Sequence, residues 1–207
     1  MLARSSCAMG PNDAVFSYAP VLWLTGLPGA GKTTLAHALA TVLMARGFRA
    51  MVLGGDVLRQ GLSRDLGFSA RDRYENVRRV SEVAAILART GQITVVALIS
   101  PLATMRNQAR EVIGERFRQV YVKAGLEVCE ARDSKGLYRK ARRGELPDFT
   151  GVSVHCEPPL NPDLVVDTGA RTVNECVTQL RIFVEREFAN IGTTRASARK
   201  LLRRQAV

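Results

Sequence analysis

Val21-Leu22-Trp23-Leu24-Thr25-Gly26-Leu27-Pro28-Gly29-Ala30-Gly31-Lys32-Thr33-Thr34 is the stretch whose reading decides the fold. An apolar run from Val21 to Leu24 leads into Gly26–Thr33, which fits the pattern G-x-x-x-x-G-K-S/T without a mismatch. A segment with Leu35, Leu39, Val42 and Leu43 at helical spacing follows at once. Strand, glycine-rich loop and helix in that order make a phosphate-binding loop. The glycines let the backbone curl so that successive N–H groups converge on phosphate oxygens. The helix adds its positive N-terminal end. Lys32 is placed to neutralise the outer phosphates, and the Thr33 hydroxyl suits Mg²⁺.

Working outward, residues 1–19 show no period and read as a loose arm. The expected strands are Val21–Thr25, Arg49–Leu53, Ile93–Ile99, Phe117–Val122 and Leu164–Asp167. The expected helices are Thr33–Arg46, Arg71–Arg89, Ala103–Ile113, Leu126–Asp133, the basic stretch Lys135–Arg143, and Thr172–Phe188. Ile93–Ile99 is apolar on both faces, the mark of a central parallel strand. Alternation of strand and helix implies parallel strands joined by right-handed crossovers. The fold class is therefore α/β: a three-layer phosphate-loop NTPase-type fold, a central parallel sheet flanked by helices, with a lid. Residues 20–190 form the domain, and 191–207 are a basic C-terminal tail. In such sheets ligands gather at the carboxyl ends of the strands.

The bulk numbers narrow the classes. A chain of 207 residues, 46% hydrophobic, can bury a full core. Cys7, Cys129, Cys156 and Cys176 form no C-x-x-C pair, which suits reduced thiols and a cytoplasmic location. The longest apolar run is a strand length, far short of a membrane span, and no secretory signal is evident. The net charge of +11 includes Arg195, Arg199, Lys200, Arg203 and Arg204 in the tail, with no acid among them. That tail reads either as a solvated end or as a contact for nucleic acid or an acidic partner. The remaining excess suits polyanionic ligands.

A phosphate loop does not by itself choose between a GTPase, a motor ATPase and a kinase. No N-K-x-D for guanine is present, and the Ile93–Ile99 strand ends in Ser100-Pro101 rather than an acidic pair. Transfer to a bound acceptor fits this better than hydrolysis. Asp56 and Arg59 follow the second strand, and Arg73 opens the long helix; both arginines are expected beside the phosphate loop in sheet order. Each is a candidate bidentate fork for an anion. Asp56 is placed to take a hydrogen bond from an attacking hydroxyl or to reach Mg²⁺ through water. Arg78 and Arg79 read equally as a solvated face with i,i+4 pairs. Lys135 to Arg143 reads as a lid over ATP or as a basic surface helix. Phe68 and Phe149, on polar glycine-containing loops, read as a purine sandwich or as loop anchors.

The chain resembles the adenylylsulfate kinase (APS kinase) family over roughly residues 20–180. The matching runs are WLTGLPGAGKTTLA, GDVLRQGLSRDLGFSARDRYENVRR, ISP, CEARDSKGLYRKARRGELPDFTG, and EPP followed by LVVDT. The resemblance implies phosphorylation of adenylyl sulfate by ATP with Mg²⁺, giving 3′-phosphoadenylyl sulfate and ADP. It puts the ATP-phosphate site on Gly26, Leu27, Pro28, Gly29, Ala30, Gly31, Lys32, Thr33 and Thr34, with Arg132 and the loop after Asp167 against the ATP base. It puts the adenylyl-sulfate site on Asp56, Arg59, Phe68, Arg73, Asn76, Ile99, Ser100, Lys135 and Phe149. Lys32, Asp56, Ser100 and Lys135 become the catalytic candidates, and Thr33 the metal ligand. Ser100 falls where the family is described as forming a phosphoserine; orienting the acceptor is the other reading. A homodimer is implied.

Three departures stand out. Gly54-Gly55-Asp56 replaces the family's Asp-Gly-Asp, so the first carboxylate is missing. Pro28 replaces a commoner Ser at a variable loop position, and His155-Cys156 stands where a Tyr usually precedes Glu-Pro. His155 reads as a surface loop residue. Gly54 supports a rival reading, a weakened kinase domain that scaffolds a partner such as ATP sulfurylase. A kinase for another small nucleotide and a nucleic-acid-associated ATPase using the basic tail are the other classes.

Overall fold

Val21, Trp23 and their neighbours alternate between two cores, and that alternation organises the molecule. The structure, a computed structural model, describes residues 19–187. The proposed basic tail and all but Ala19 of the N-terminal arm lie outside the described residues. In chain order the elements are β1 (Val21–Thr25), α1 (Lys32–Ala45), β2 (Ala50–Gly54), α2 (Gly55–Gln60), α3 (Ala70–Arg89), β3 (Ile93–Ala97) and α4 (Ala103–Ile113). A 3₁₀ turn, Gly114–Arg116, leads to β4 (Phe117–Lys123), α5 (Leu126–Arg132), α6 (Leu137–Arg142) and β5 (Leu164–Asp167). A last helix, α7, runs from residue 173 to 187, the last described residue.

The five strands are ordered β2-β3-β1-β4-β5, and every recorded pairing is parallel. On one face Leu22, Leu24, Val95 and Val122 pack with Leu35, Leu39 and Leu43 of α1 and Leu180 and Phe183 of α7. On the other, Val21, Trp23, Val96 and Phe117 pack with Val77, Val80 and Ala84 of α3 and Met105 and Ala109 of α4. Each fully buried aliphatic side chain contributes about 1.5–3 kcal/mol relative to exposure. The layers therefore hold the strand tips rigidly, and the site stands on those tips.

Several element boundaries and one neighbour relation differ from the sequence reading. β3 stops at Ala97 because the chain turns toward Ser100, where the Ile99 carbonyl is taken by the Thr25 hydroxyl at 2.6 Å. α1 starts one residue early, at Lys32 after the left-handed Gly31. α6 starts at Leu137, not Lys135: Gly136 has φ 65°, and Asp133 caps the helix by accepting from the Tyr138 and Arg139 N–H groups. The six-residue α2 was not anticipated. β2 is not next to β1; β3 lies between them, so Asp56, Arg59 and Arg73 approach the phosphate loop from one strand further away. Ala19, assigned to the loose arm, is buried, with its N–H donated to the Ala88 carbonyl at 3.1 Å.

Candidate active site

The phosphate loop is tight because two of its glycines, Gly26 and Gly29, have no room for side chains. Gly26 has φ 147°, and a Cβ there would lie 2.3 Å from the Val122 carbonyl oxygen. Gly29 has φ 76°, and its Cβ would lie 2.9 Å from the Cys129 carbonyl oxygen. Lys32 folds under this curl and donates from Nζ to the Gly26 and Leu27 carbonyls at 2.8 and 2.7 Å. Burial pushes its ammonium down to about 8, against opposing pulls from Cys156, Cys129 and Asp56. A desolvated cation beneath a loop is strongly attracted to any anion that enters. α1 begins with no side-chain cap, which leaves its N-terminal N–H groups to a ligand, and Thr33 and Thr34 are exposed there. These features fit a bound polyphosphate. No group of three or more His, Cys, Asp or Glu side chains suited to a metal exists among the described residues. Mg²⁺ would therefore take most of its ligands from phosphate and water, which is its habit.

Arg132 and Thr168 close the far side of the loop. Arg132 donates to the Thr168 hydroxyl and carbonyl at 3.2 and 2.6 Å, and Thr168 Oγ1 donates to the Ala30 carbonyl at 2.9 Å. The residue assigned to the ATP base is thus tied to the phosphate loop and to the segment after Asp167.

On the opposite side, Phe68 carries two guanidinium groups. Arg59 lies 4.3 Å from its ring centroid and Arg73 lies 5.8 Å away. Neither arginine is an empty fork. Arg59 donates to the Leu66 and Gly67 carbonyls, at 3.1 and 2.8 Å. Arg73 donates to the Phe68 carbonyl at 2.8 Å, to Thr150 Oγ1 at 3.1 Å and to the Asp148 carbonyl at 2.6 Å. Arg73 thereby ties the Phe68 loop to the Phe149 loop. Burial lowers the affinity of both guanidinium groups for their protons, yet they stay charged. Asn76, on the same helix as Arg73, is buried and its Oδ1 has no partner, an acceptor ready for a ligand donor. Arg78 and Arg79 resolve to the structural reading: both pair with Glu75, and Arg79 also pairs with Asp65.

Ser100 sits in a strained turn at the β3 tip, with φ 39°. Its hydroxyl accepts from Trp23 Nε1 at 3.0 Å and shares a 3.1 Å hydrogen bond with Thr25 Oγ1. Its carbonyl accepts from the buried Arg106 at 2.9 Å, and Arg106 also donates to the Pro101 carbonyl at 3.1 Å. At 4% exposure the hydroxyl is committed to the protein. Ile99 is half-buried beside it.

Lys135 is ion-paired with Asp56, so two catalytic candidates 79 positions apart in the chain meet. Phe149 does not face solvent as an open platform; it packs edge-on against Tyr138, centroids 5.1 Å apart. The phenol of Tyr138 donates to the Pro28 carbonyl at 2.9 Å. Phe68 is exposed, while Phe149 is half-buried. His155 is exposed, and Cys129, Cys156 and Cys176 are free thiols.

Three positioning residues, Tyr138, Arg106 and Glu157, escaped the sequence reading, and Thr168 was covered only as part of the loop after Asp167. Glu157 accepts from the Ala103 N–H at 2.6 Å, capping α4, and its own N–H donates to the Pro101 carbonyl at 2.8 Å. The Glu-Pro-Pro run was the available signal for Glu157. For the others, only distant contacts reveal the role.

A phosphate loop with a buried lysine, facing a second cluster of arginines and aromatics across parallel strand tips, defines a phosphate-loop nucleotide kinase site. Residues 18–167 match the family model described as adenylylsulphate kinase. The chain belongs to that family. It is 54% identical over 160 residues to the adenylyl-sulfate kinase of Paraburkholderia xenovorans strain LB400, covering 77% of this chain and 89% of that one. It is 48% identical over 171 residues to the probable adenylyl-sulfate kinase of Bacillus subtilis strain 168, covering 82% and 86%. The solved APS kinase CysC of Mycobacterium tuberculosis, in complex with AMPPNP and APS, superposes with a TM-score of 0.79 at 43% identity. That match covers 81% of this chain and 98% of that chain.

Proposed function

We propose that this chain transfers the γ-phosphoryl group of ATP to the ribose 3′-hydroxyl of adenylyl sulfate. The new bond joins the 3′-oxygen to the γ-phosphorus, and the bond from that phosphorus to the β–γ bridging oxygen breaks. The products are 3′-phosphoadenylyl sulfate, ADP and the hydroxyl proton. The observation that carries the reading is Arg73, which assembles Phe68, Asp148 and Thr150 into one cationic, aromatic-bearing cluster. Such a cluster suits a flat anionic nucleotide. A family member 43% identical to this chain, solved with AMPPNP and APS, supports that choice of ligands.

In this reading Lys32 leaves the Gly26 and Leu27 carbonyls for the β- and γ-phosphates. Lys135 leaves Asp56 for the moving phosphoryl group, and Asp56 then accepts the proton of the 3′-hydroxyl. Thr33, with Asp56 acting through water, would hold Mg²⁺, which would neutralise charge between the outer phosphates. Arg59, Arg73 and Asn76 fix the acceptor. Ser100 orients the acceptor through its turn rather than forming a phosphoserine, since its hydroxyl is occupied by Trp23 and Thr25. Segment 135–143 acts as the lid that excludes water. The protein acts as a cytoplasmic homodimer, with ATP sulfurylase as the partner that supplies its acceptor. No helix among the described residues is long and apolar enough to cross a membrane.

Incubation with ATP, Mg²⁺ and adenylyl sulfate, followed by mass spectrometry and phosphorus NMR of the product, tests the reading. The expected product carries one new phosphate at the 3′ position. ATP consumption with unmodified adenylyl sulfate would overturn it. Gly54 favours a second reading, a weakened kinase domain that mainly binds nucleotide and scaffolds a partner. Tight ADP binding with no measurable ADP release would select that one.

A further inference from the structure

We propose that Tyr138 is a positioning residue that couples occupancy of the nucleotide site to affinity at the acceptor site. The proposal rests on the kinase reading above. Tyr138 is 3% exposed, and its hydroxyl donates to the carbonyl of Pro28 at 2.9 Å, inside the phosphate loop. The ring that carries that hydroxyl meets Phe149 edge-on, with an interplanar angle of 83°. Next to Phe149, Asp148 and Thr150 are the residues that Arg73 grips. Arg73 in turn holds the Phe68 carbonyl, and Arg59 lies over the Phe68 ring. One unbroken set of contacts therefore runs from the phosphate loop through Tyr138 to the cationic cluster on the other side.

Three features make this path stiff. At Gly151 an added Cβ would lie 3.0 Å from Leu27 Cδ2 and 3.5 Å from the Tyr138 oxygen, so the acceptor loop packs directly on the phosphate loop at that point. Asp148 holds φ 57°, a left-handed conformation that its surroundings must maintain. The start of α6 is fixed by Asp133, so Tyr138 cannot slide without breaking two capping hydrogen bonds. When phosphates draw N–H groups and Lys32 upward, the Pro28 carbonyl moves with the loop. The Tyr138 hydroxyl transmits that shift to the Phe149 loop and hence to Arg73. Burial also pushes the phenol well above its usual range, so it remains a proton donor at every working pH.

The test is a coupling ratio. The dissociation constant of adenylyl sulfate is measured by calorimetry on the full chain, alone and with saturating ADP and Mg²⁺. In the unmodified protein ADP is expected to tighten adenylyl sulfate by about fivefold or more, the lower bound of ordinary coupling. Tyr138→Phe keeps the ring and removes the hydroxyl; its ratio is expected to fall to about one. Dividing the two constants cancels any general loss of affinity, and a melting curve records any loss of fold. Thr150→Val, which cuts the same path at Arg73, is expected to lower the ratio in the same direction. An unchanged ratio in Tyr138→Phe, or a ratio of about one in the unmodified protein, would overturn the proposal. Binding of ADP with no binding of adenylyl sulfate in either state would instead remove the acceptor reading, and this proposal with it.

Discussion

Lys135 and Asp56, 79 positions apart in sequence, form an ion pair that joins the segment before α6 to the tip of β2. Both side chains are more than half exposed, at 57% and 70%. Exposed pairs contribute about 0–1 kcal/mol, so substrate can separate this one at little cost. Asp56 also raises the proton affinity of Lys32. One carboxylate thus touches the electrostatics of both candidate lysines, and it does so with Gly54, not a second acid, two positions before it.

Lys32→Ala should keep the fold and abolish turnover. Removing the side chain gives up two hydrogen bonds but also relieves the desolvation of a buried ammonium, so the melting temperature should change little. Loss of one preorganised charge at a transferring phosphoryl group costs about 10²–10³ in kcat or more. A steady-state assay with a melting curve checks both; near-normal rates would discredit the site.

Nucleotide affinity should fall as pH rises through about 8. Lys32 in the free protein holds its proton less tightly than an ordinary lysine, whose value is 10.5. Phosphates restore the charge, so binding above pH 8 takes up a proton and Kd grows up to about tenfold per pH unit. The sign for folding is opposite: between about 8 and 10.5 the unfolded chain binds more protons, so stability of the free protein rises with pH across that window. Calorimetry in buffers of different ionisation heat measures the proton uptake, and Lys32→Ala should abolish it.

Gly54→Asp should fold normally and raise kcat or tighten Mg²⁺. Gly54 has φ −90° and ψ 134°, ordinary values for any residue, and a Cβ there meets nothing within 4 Å. A general base is worth about 10²–10⁴ in rate where it is missing. Unchanged kcat and unchanged Mg²⁺ dependence would mean that Asp56 already fills the role.

Ser100→Ala should destabilise the protein by about 1–3 kcal/mol, because Trp23 Nε1 is left buried without an acceptor. No phosphoserine should form on the unmodified protein during turnover. Denaturant melts measure the first and intact-mass spectrometry the second; a phosphorylated Ser100 would contradict the orienting role.

The phosphate loop was legible because its chemistry is local: Gly26 to Thr33 carry the turn, the charge and the helix start within one stretch. Strands such as Val21–Thr25 and Leu164–Asp167 were legible for the same reason. Sheet order was not, since alternation fixes parallel pairing but not that β3 separates β1 from β2. α2 was hidden because a six-residue helix opening on Gly55 has no period to read. Arg59 and Arg73 were found as cations, yet their carbonyl partners, some 75 positions away for Arg73, leave no trace in local pattern. Tyr138, whose partner Pro28 is 110 positions away, is the same case.

Acceptor choice is the most direct test of the kinase reading. ADP release should be measured with adenylyl sulfate, AMP and shikimate at equal concentration, with ATP and Mg²⁺ saturating. The account predicts turnover with adenylyl sulfate, little with AMP and none above background with shikimate. Equal rates with all three acceptors, or a rate independent of any acceptor, would contradict it.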